Sequence, residues 1–439
     1  MADKGSAAGG VTMDVSHDGP GTENDPIEAI VALEHLRLVQ RLLARHEVRC
    51  EVPDERTSVD LGLALLQLAP RDADHLVASL PPVPPDHPGY QAWAKRRRHG
   101  LAANDDDVLT SVRASFEGRY AGWVPTLGKN RLVGSVSGGG GSVSHGGGEP
   151  PTRAKRPASW RLGTAGDGMS VGILDTALFA HPDLAGGYRG NSPRDVLAVP
   201  AATDALPFAA GHATFVAGLI LDRAPGATVR VRGVLDDKGN AKSWDVATAI
   251  VELGRTGIQI LNLSLVCYTA DNKPPLALST AVDRLPQDVL VIACAGNHGD
   301  PRLGLGDEHR VPSWPAALDD VVAVGSAMPG SGAGTFKLSP FTPQDAEWID
   351  VLVAGEGVTS TYFTGHGTAP GAASADFEGW ARWEGTSFSA AVLSGEVAAR
   401  ASARQISPRA AYAELRPALQ NQPLDRPDDG PYLPPFLPL

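Results

Sequence analysis

The first apolar pattern in the chain has a helical period. Apolar residues recur with the spacing of one buried helical face at Ile27, Ile30, Val31, Leu36, Val39, Leu42 and Leu43. Asp25 can cap such a helix, with Pro26 at the first helical position and Glu28 reaching back to the cap. The pattern therefore predicts a helix over residues 27–43. The polar residues 1–24 before it are predicted to be a disordered tail.

Three shorter apolar patterns follow. In chain order they are a strand-like alternation at Val48, Cys50 and Val52, and two segments predicted to be helical over Leu61–Leu68 and Asp107–Tyr120. Residues 25–134 are therefore predicted to form a small, mostly helical accessory or pro-region.

The composition and the apolar pattern of the chain change twice beyond this region. Glycine runs over 138–148 can bury almost nothing, so residues 135–159 are predicted to be a flexible linker. From Trp160, short β-branched runs alternate with helical stretches, which indicates βαβ units and a mainly parallel sheet. The predicted strands are Ser170–Leu174, Thr228–Val234, Ile258–Leu263, Val289–Cys294 and Val321–Val324, with a helix over Trp244–Gly254. This α/β unit is predicted to end near residue 417, before a Pro-rich tail over 418–439.

Composition narrows the class of protein. The net charge of −12 argues against a nucleic-acid partner, which needs a basic face on the protein. No run approaches the ~18 apolar residues of a membrane span. The three cysteines, Cys50, Cys267 and Cys294, are too few and too widely spaced for a disulfide framework or a metal site. With no apolar signal segment in the first 26 residues, a cytoplasmic location is predicted.

One candidate nucleophile lies at the start of a predicted helix. In Gly385-Thr386-Ser387-Phe388-Ser389, a serine follows a glycine turn and an apolar helical stretch follows the serine. The first backbone N–H groups of a helix have no partner within it, and its dipole favours developing negative charge. An acyl-enzyme nucleophile and half of an oxyanion hole require this placement, although an ordinary N-cap serine has the same pattern.

Three more blocks carry polar side chains at the ends of apolar segments. Asp175 ends the predicted strand Ser170–Leu174 and is followed by His181-Pro182-Asp183-Leu184. His212 opens an apolar helix in Gly211-His212-Ala213-Thr214-Phe215, and Asn297 follows a strand in Ala295-Gly296-Asn297. Taken singly, these residues fit a turn-capping aspartate, a structural histidine and a plain turn. His212 has no ligand-like partner four residues on, so no metal site is predicted.

Read in order as Asp, His, Asn and Ser, the four blocks resemble the subtilisin-like serine proteases, or subtilases. The resemblance covers Trp160 to Arg416, and Ala213 and Phe215 replace a glycine and a second histidine that the family usually has. It implies a three-layer α/β/α sandwich and a serine endopeptidase that needs no cofactor. His212 would be the general base, Asp175 its orienting carboxylate and Ser387 the nucleophile, with Asn297 as an oxyanion donor.

The resemblance also identifies candidate substrate-binding residues. Ser264, Leu265 and Val266 look like the strand that pairs with extended substrate and walls the S1 pocket, and Gly239 and Asn240 resemble the opposite edge. Cys294, Ala295 and Gly296 complete the predicted substrate-binding set. Val266 stands where relatives usually have glycine, so a narrower S1 pocket and a small or flat P1 residue are expected.

Two questions stay open at this point. The region over 25–134 could be an inhibitory or chaperone-like pro-region released by cleavage in the linker, or a permanent docking domain for a substrate or partner. The whole chain could also be a pseudoprotease that binds peptides without cleaving them. An esterase is disfavoured because Ser387 does not lie in a nucleophile elbow. The predicted task is processing of peptide or protein substrates, such as leader-peptide or regulatory cleavage.

Overall fold

The computed structural model describes residues 25–50, 52, 54–135, 149–201, 203–303, 310–330, 335–369, 372–419 and 436–437. The predicted tail over 1–24 and the glycine runs over 138–148 lie outside these residues. None of the helices within them is both long and apolar enough to cross a bilayer.

The N-terminal region is a small sheet covered by helices. Its elements are β1 (Ile27–Ala32), α1 (Leu33–Arg45), β2 (Thr57–Ser58), β3 (Leu63–Leu68), α2 (Pro70–Ser79), α3 (Tyr90–Arg98), α4 (Asp105–Arg119) and β4 (Leu127–Lys129). The strands form an antiparallel sheet in the order β2-β3-β1-β4. Asn104 begins α4 with a capping box, its side chain accepting from the Asp107 backbone N–H.

The remaining elements follow the N-terminal sheet, and all but the first of them build the larger α/β unit. The first group is β5 (Leu132–Ser135), β6 (Thr152–Arg153), β7 (Ser170–Asp175), β8 (Leu178–Phe179), β9 (Tyr188–Gly190), β10 (Val196–Leu197), β11 (Ala205–Pro207), α5 (His212–Arg223), β12 (Thr228–Gly233), β13 (Asn240–Lys242) and α6 (Ser243–Gly254). The second is β14 (Ile260–Leu263), β15 (Leu265–Val266), α7 (Leu276–Asp283), β16 (Leu290–Cys294), β17 (Val321–Pro329), β18 (Phe336–Leu338), β19 (Val351–Ala354), β20 (Val358–Thr368), β21 (Ala375–Trp383), α8 (Thr386–Arg404), α9 (Pro408–Leu419) and β22 (Phe436–Leu437).

A mainly parallel sheet forms the middle layer of this unit. Its order is β22-β19-β17-β16-β14-β7-β12-β9, with β18 antiparallel to β17. On one face, α5 and α8 pack over Val171, Ile173 and Ile292. On the other, α6 and α7 pack over Leu261 and Val291. The predicted three-layer α/β/α sandwich is confirmed, and the predicted strands and the helix over Trp244–Gly254 are present in it.

The N-terminal sheet is held between two sets of helices. Ala29 and Val31 of β1 face the region's own helices α1, α2 and α4, whereas Ile30 and Ala32 face α6 and α7 of the larger unit. Successive side chains of a strand point to opposite faces, so β1 is buried on both. The hydrophobic core on the α6 and α7 side of the parallel sheet therefore continues into the N-terminal region.

Several sequence expectations for this region are wrong in detail. The helix predicted over 27–43 begins only at Leu33, because residues 27–32 form β1. Leu61–Leu68 contains β3 rather than a helix, and Val48, Cys50 and Val52 do not form a strand. The helix predicted over Asp107–Tyr120 is confirmed as α4, and in this region helical residues outnumber strand residues. In the predicted Pro-rich tail, Phe436–Leu437 pair with β19 as an added strand.

Candidate active site

Asp175 is held at the carboxyl end of β7, in the middle of the parallel sheet. Strands β12 and β14 pair with β7 on its two sides, which buries the end of the strand. The Asp175 carboxylate is fully buried and accepts a hydrogen bond of 2.7 Å from the Thr176 backbone N–H. The carboxyl ends of the strands in such sheets are where α/β proteins build their sites.

His212 is the first residue of α5 and contacts Asp175 directly. Its Nδ1 lies 2.8 Å from each carboxylate oxygen, and both side chains are fully buried. A carboxylate only accepts, so Nδ1 carries the hydrogen and Nε2 is left as the acceptor. Ala213, in place of the glycine usual in subtilases, donates its N–H to the Thr176 hydroxyl at 3.1 Å and does not prevent this pairing.

Aromatic rings fix the His212 imidazole on its other sides. Phe388 and Trp383 lie 5.6 and 5.9 Å from it between ring centroids. Phe215, which replaces the second histidine of the subtilase pattern, packs between these two rings at 4.4 and 5.8 Å. The departure at Phe215 therefore builds an apolar wall around the histidine. A water-poor wall strengthens the pairing of His212 with Asp175.

Ser387 is the second residue of α8 and is fully buried. Its Oγ and the Nε2 of His212 are both shielded, and neither has a hydrogen-bond partner within the described residues. Hydrogen bonds between catalytic groups are often long or absent until substrate is bound. The Ser387 carbonyl accepts from the Ser264 hydroxyl at 3.0 Å, which ties the start of α8 to the substrate strand predicted from the sequence.

Asn297 is oriented by Thr386, the residue before Ser387. Its Oδ1 accepts from the Thr386 backbone N–H and from the Thr386 hydroxyl, both at 3.0 Å. The Thr386 hydroxyl in turn accepts from the Gly296 N–H at 3.0 Å. Because Oδ1 is held on Thr386, the Nδ2 donor of the same amide lies on the opposite side. Thr386 was not singled out from the sequence, although it stands in the same Gly-Thr-Ser block.

The predicted substrate-binding cleft lies between β13 and β15, and the chain's own strand β5 occupies it. Gly134 pairs with Asn240 on one side and with Val266 on the other, both antiparallel. Ser135 donates its N–H to the Gly239 carbonyl at 2.7 Å and pairs with Leu265. The two predicted walls are therefore brought together around one peptide strand. Sequence reasoning missed this occupant, and an extended run just before the glycines is the signal that could have found it.

The third predicted segment, Cys294–Gly296, lies next to these walls. The Cys294 thiol is 3.8 Å from the Leu265 carbonyl oxygen, and burial raises the pKa of this thiol to about 12. Such a thiol stays protonated at neutral pH and is a poor nucleophile. All three cysteines, which lie in described parts of the chain, are free thiols. Among the described residues, no group of His, Cys, Asp and Glu side chains is arranged to hold a metal ion.

A family model and several known proteins match the α/β unit of the chain. The model of the Subtilase family matches residues 166–426. Subtilisin Savinase from Lederbergia lenta is 28% identical over 279 residues, which cover 62% of this chain and 88% of that protein. The alkaline protease of Alkalihalobacillus alcalophilus is also 28% identical over 279 residues, covering 62% of this chain and 63% of that protein.

A solved structure extends the similarity in fold beyond the matched residues. Fervidolysin from Fervidobacterium pennivorans, a keratinolytic enzyme related to subtilisin, has a TM-score of 0.55 at 15% sequence identity, covering 94% of this chain and 60% of that chain. This chain thus spans less than two thirds of fervidolysin and of the alkaline protease. Because the family model matches more than half of its length, the chain belongs to the subtilase family of subtilisin-like serine endopeptidases.

Proposed function

We propose that the chain hydrolyses peptide bonds through a triad of Asp175, His212 and Ser387. The observation that carries this proposal is the fully buried pair of Asp175 and His212 at 2.8 Å, with Phe388, the residue after Ser387, at 5.6 Å from the imidazole ring. His212 Nε2 takes the Ser387 proton as the hydroxyl attacks the carbonyl carbon, and returns it to the leaving amine. Asp175 holds the imidazole in the required tautomer and stabilises its charged form.

Two hydrogen-bond donors would stabilise the oxyanion of the tetrahedral intermediate. One is the Ser387 backbone N–H, which has no partner within the helix because it belongs to the first turn of α8. The other is Asn297 Nδ2, whose position is fixed by the two bonds from Thr386 to Oδ1. A donor fixed before the reaction does not need to reorient as charge develops, which is the main source of stabilisation at such sites.

Peptide substrates would bind as an added strand between β13 and β15. The pairing of β5 with both walls supports this mode, because a substrate in the same register makes the same backbone bonds. A residue one position beyond that of Ser135 would lie opposite Ser264, whose hydroxyl bonds the Ser387 carbonyl. The bound strand therefore runs toward the nucleophile. Val266, buried in the cleft wall, supports the expectation of a restricted P1 choice.

The N-terminal region is proposed to act as an intramolecular inhibitor rather than a docking domain. The cleft that a substrate needs is filled by β5, and β1 and β3 pack on α6 and α7. The Glu149 N–H donates at 2.7 Å to the Oε1 of Glu384, three residues before Ser387. The chain is thus held to the peptidase unit both at Ser135 and at Glu149, which favours self-cleavage between these two residues.

A cytoplasmic task of limited scope completes the proposal. Three free thiols are typical of a protein in a reducing compartment. A filled substrate cleft is typical of an enzyme that stays inactive until it is processed. Leader-peptide or regulatory cleavage are the tasks we favour. Fractionation of the source cells, with antibody detection of the full chain and its fragments, tests the compartment. Detection in the culture medium alone would contradict a cytoplasmic role.

Labelling with a fluorophosphonate probe tests the chemistry. Wild type should be labelled, whereas Ser387→Ala and His212→Ala should not. On a denaturing gel, wild type should also yield two fragments and Ser387→Ala should stay intact, with N-terminal sequencing mapping the cut to the stretch between Ser135 and Glu149. Absence of labelling in the intact and in the cut protein would support the pseudoprotease alternative. Labelling without any self-cleavage would favour a docking role for the N-terminal region.

A further inference from the structure

Three chain segments meet beside the Ser264–Val266 wall: the first covers residues 264–268, the second residues 294–296 and the third residues 313–314. The Cys294 thiol approaches the Leu265 carbonyl at 3.8 Å, which joins the first segment to the second. The Ser313 hydroxyl donates to the Ala295 carbonyl at 2.7 Å, which joins the second to the third. Cys267 and Trp314 exchange backbone bonds of 2.8 and 3.0 Å, which joins the third to the first. A P1 side chain entering beside Ser387 would meet the space between these segments.

The Tyr268 side chain extends into this space. Val266 and Tyr268 pack in the same apolar cluster as Cys294, whereas Leu265 and Cys267 belong to the cluster on the other face of the sheet. This alternation places Val266 and Tyr268 on the same side of the wall, as expected for residues two apart in an extended chain. Tyr268 therefore follows Val266 on the side of the wall that packs with Cys294.

The Tyr268 hydroxyl is fixed across the pocket. It lies 3.0 Å from His298 Nδ1, and His298 Nε2 lies 3.0 Å from the Val311 carbonyl. A carbonyl only accepts, so Nε2 carries the hydrogen and Nδ1 accepts from the tyrosine. The two rings meet edge to face at 4.8 Å. A Cβ atom at Gly296 would stand only 2.6 Å from the Tyr268 oxygen and 2.8 Å from the Ser313 oxygen, so the hydroxyl reaches the far wall.

We propose that Tyr268 is a specificity-determining residue that closes the floor of the S1 pocket. With Val266 at the entrance and the phenol ring behind it, the pocket accepts small P1 side chains and excludes Phe, Tyr and Leu. The bond to His298 holds the ring in place, so a large P1 residue cannot displace it without leaving a buried hydroxyl and a buried imidazole nitrogen unpaired. This inference rests on the proposed peptidase function and identifies its substrate class.

Two peptides that differ only in Ala or Phe at P1 provide the test. In wild type, kcat/KM should favour Ala by at least about 10-fold, since a few carbon atoms of misfit already have effects of this size. Tyr268→Ala removes the ring and should raise the Phe-to-Ala ratio at least about 10-fold. Tyr268→Phe is the matched control: it keeps the ring, and the ratio should move far less. Tyr268→Leu, shorter but apolar, should shift the ratio in the same direction as Tyr268→Ala if the latter does not fold.

The outcomes separate the two proposals. Equal cleavage of both peptides by wild type would overturn the role of Tyr268, and this measurement needs no variant. An unchanged ratio in Tyr268→Ala or Tyr268→Leu, with Ser387 still labelled by the fluorophosphonate, would overturn it as well. Wild-type protein that neither takes the label nor cleaves either peptide would refute the peptidase function itself.

Discussion

Replacing Asn130 by alanine should weaken the attachment of the N-terminal region to the peptidase unit. Asn130 lies just after β4 and is only 3% exposed. Its Oδ1 accepts from the Trp244 backbone N–H at 2.9 Å and from the Ser243 hydroxyl at 3.2 Å, so a side chain of one unit caps the first turn of α6 in the other. Its Nδ2 donates to Glu28 Oε2 at 2.8 Å, which anchors the amide within its own region.

The size of the effect follows from the two bonds that cross to α6. Each buried hydrogen bond contributes about 1 kcal/mol net, and loss of a helix cap costs about 0.5–2 kcal/mol. After separation, water solvates the Trp244 N–H. The lost hydrogen bonds therefore destabilise only the state in which the N-terminal region is attached. A total of about 1–2 kcal/mol corresponds to roughly 5- to 30-fold weaker attachment, since each 1.4 kcal/mol is a factor of ten.

Dilution of the cut protein measures this attachment. Wild type and Asn130→Ala, cut within residues 136–148 at an inserted site for a sequence-specific protease, are diluted serially and assayed on a small peptide. The concentration at half-maximal activity should rise about 5- to 30-fold in the variant. Asn104→Ala is the matched control, because Asn104 caps α4 inside the same region and does not touch α6. Equal midpoints for wild type and Asn130→Ala, or an equal shift in both variants, would refute the reasoning.

Three further predictions concern the site itself. Asp175→Asn should lower kcat by about 10⁴, because the amide can hold His212 in the wrong tautomer, and steady-state kinetics on a peptide checks this. Asn297→Ala should lower kcat by about 10²–10³ with Ser387 still labelled by a fluorophosphonate, since an oxyanion donor is lost while Asp175, His212 and Ser387 are all kept. Iodoacetamide at pH 8 should leave activity unchanged, because burial raises the pKa of the Cys294 thiol to about 12; rapid inactivation would contradict this.

The sheet and the core of the site could be predicted from sequence because their signals are local. Asp175 ends a continuous apolar strand, and Ser387 begins an apolar helix after a glycine. These signals hold wherever the rest of the chain lies. The order of the four blocks, Asp, His, Asn and Ser, also resembles that of the subtilases. This resemblance predicted the sheet at which the four residues meet.

The strands β1 and β3 of the N-terminal region were predicted to be helical because both are buried on two faces. In β1, Ile30 faces α6 and α7 while Val31 faces the region's own helices. A strand buried on both faces has no polar alternation, so its apolar run fits a helical period equally well. The role proposed for Tyr268 could not be predicted from the sequence for a different reason: it depends on Gly296 and Ser313, which are remote in sequence and meet only in the folded chain.

The strand β5 is covalently joined to the peptidase unit. Free peptides therefore have to compete with a tethered strand for the cleft between β13 and β15. A strand joined to the same molecule is present at an effective concentration in the millimolar range, whatever the amount of enzyme. A free peptide at micromolar concentration cannot displace it. One cut between Ser135 and Glu149 removes this advantage, and the same strand then competes only at the concentration of the protein itself. The cut enzyme would therefore be activated by dilution or by degradation of its severed segment, and activation would not require a conformational change.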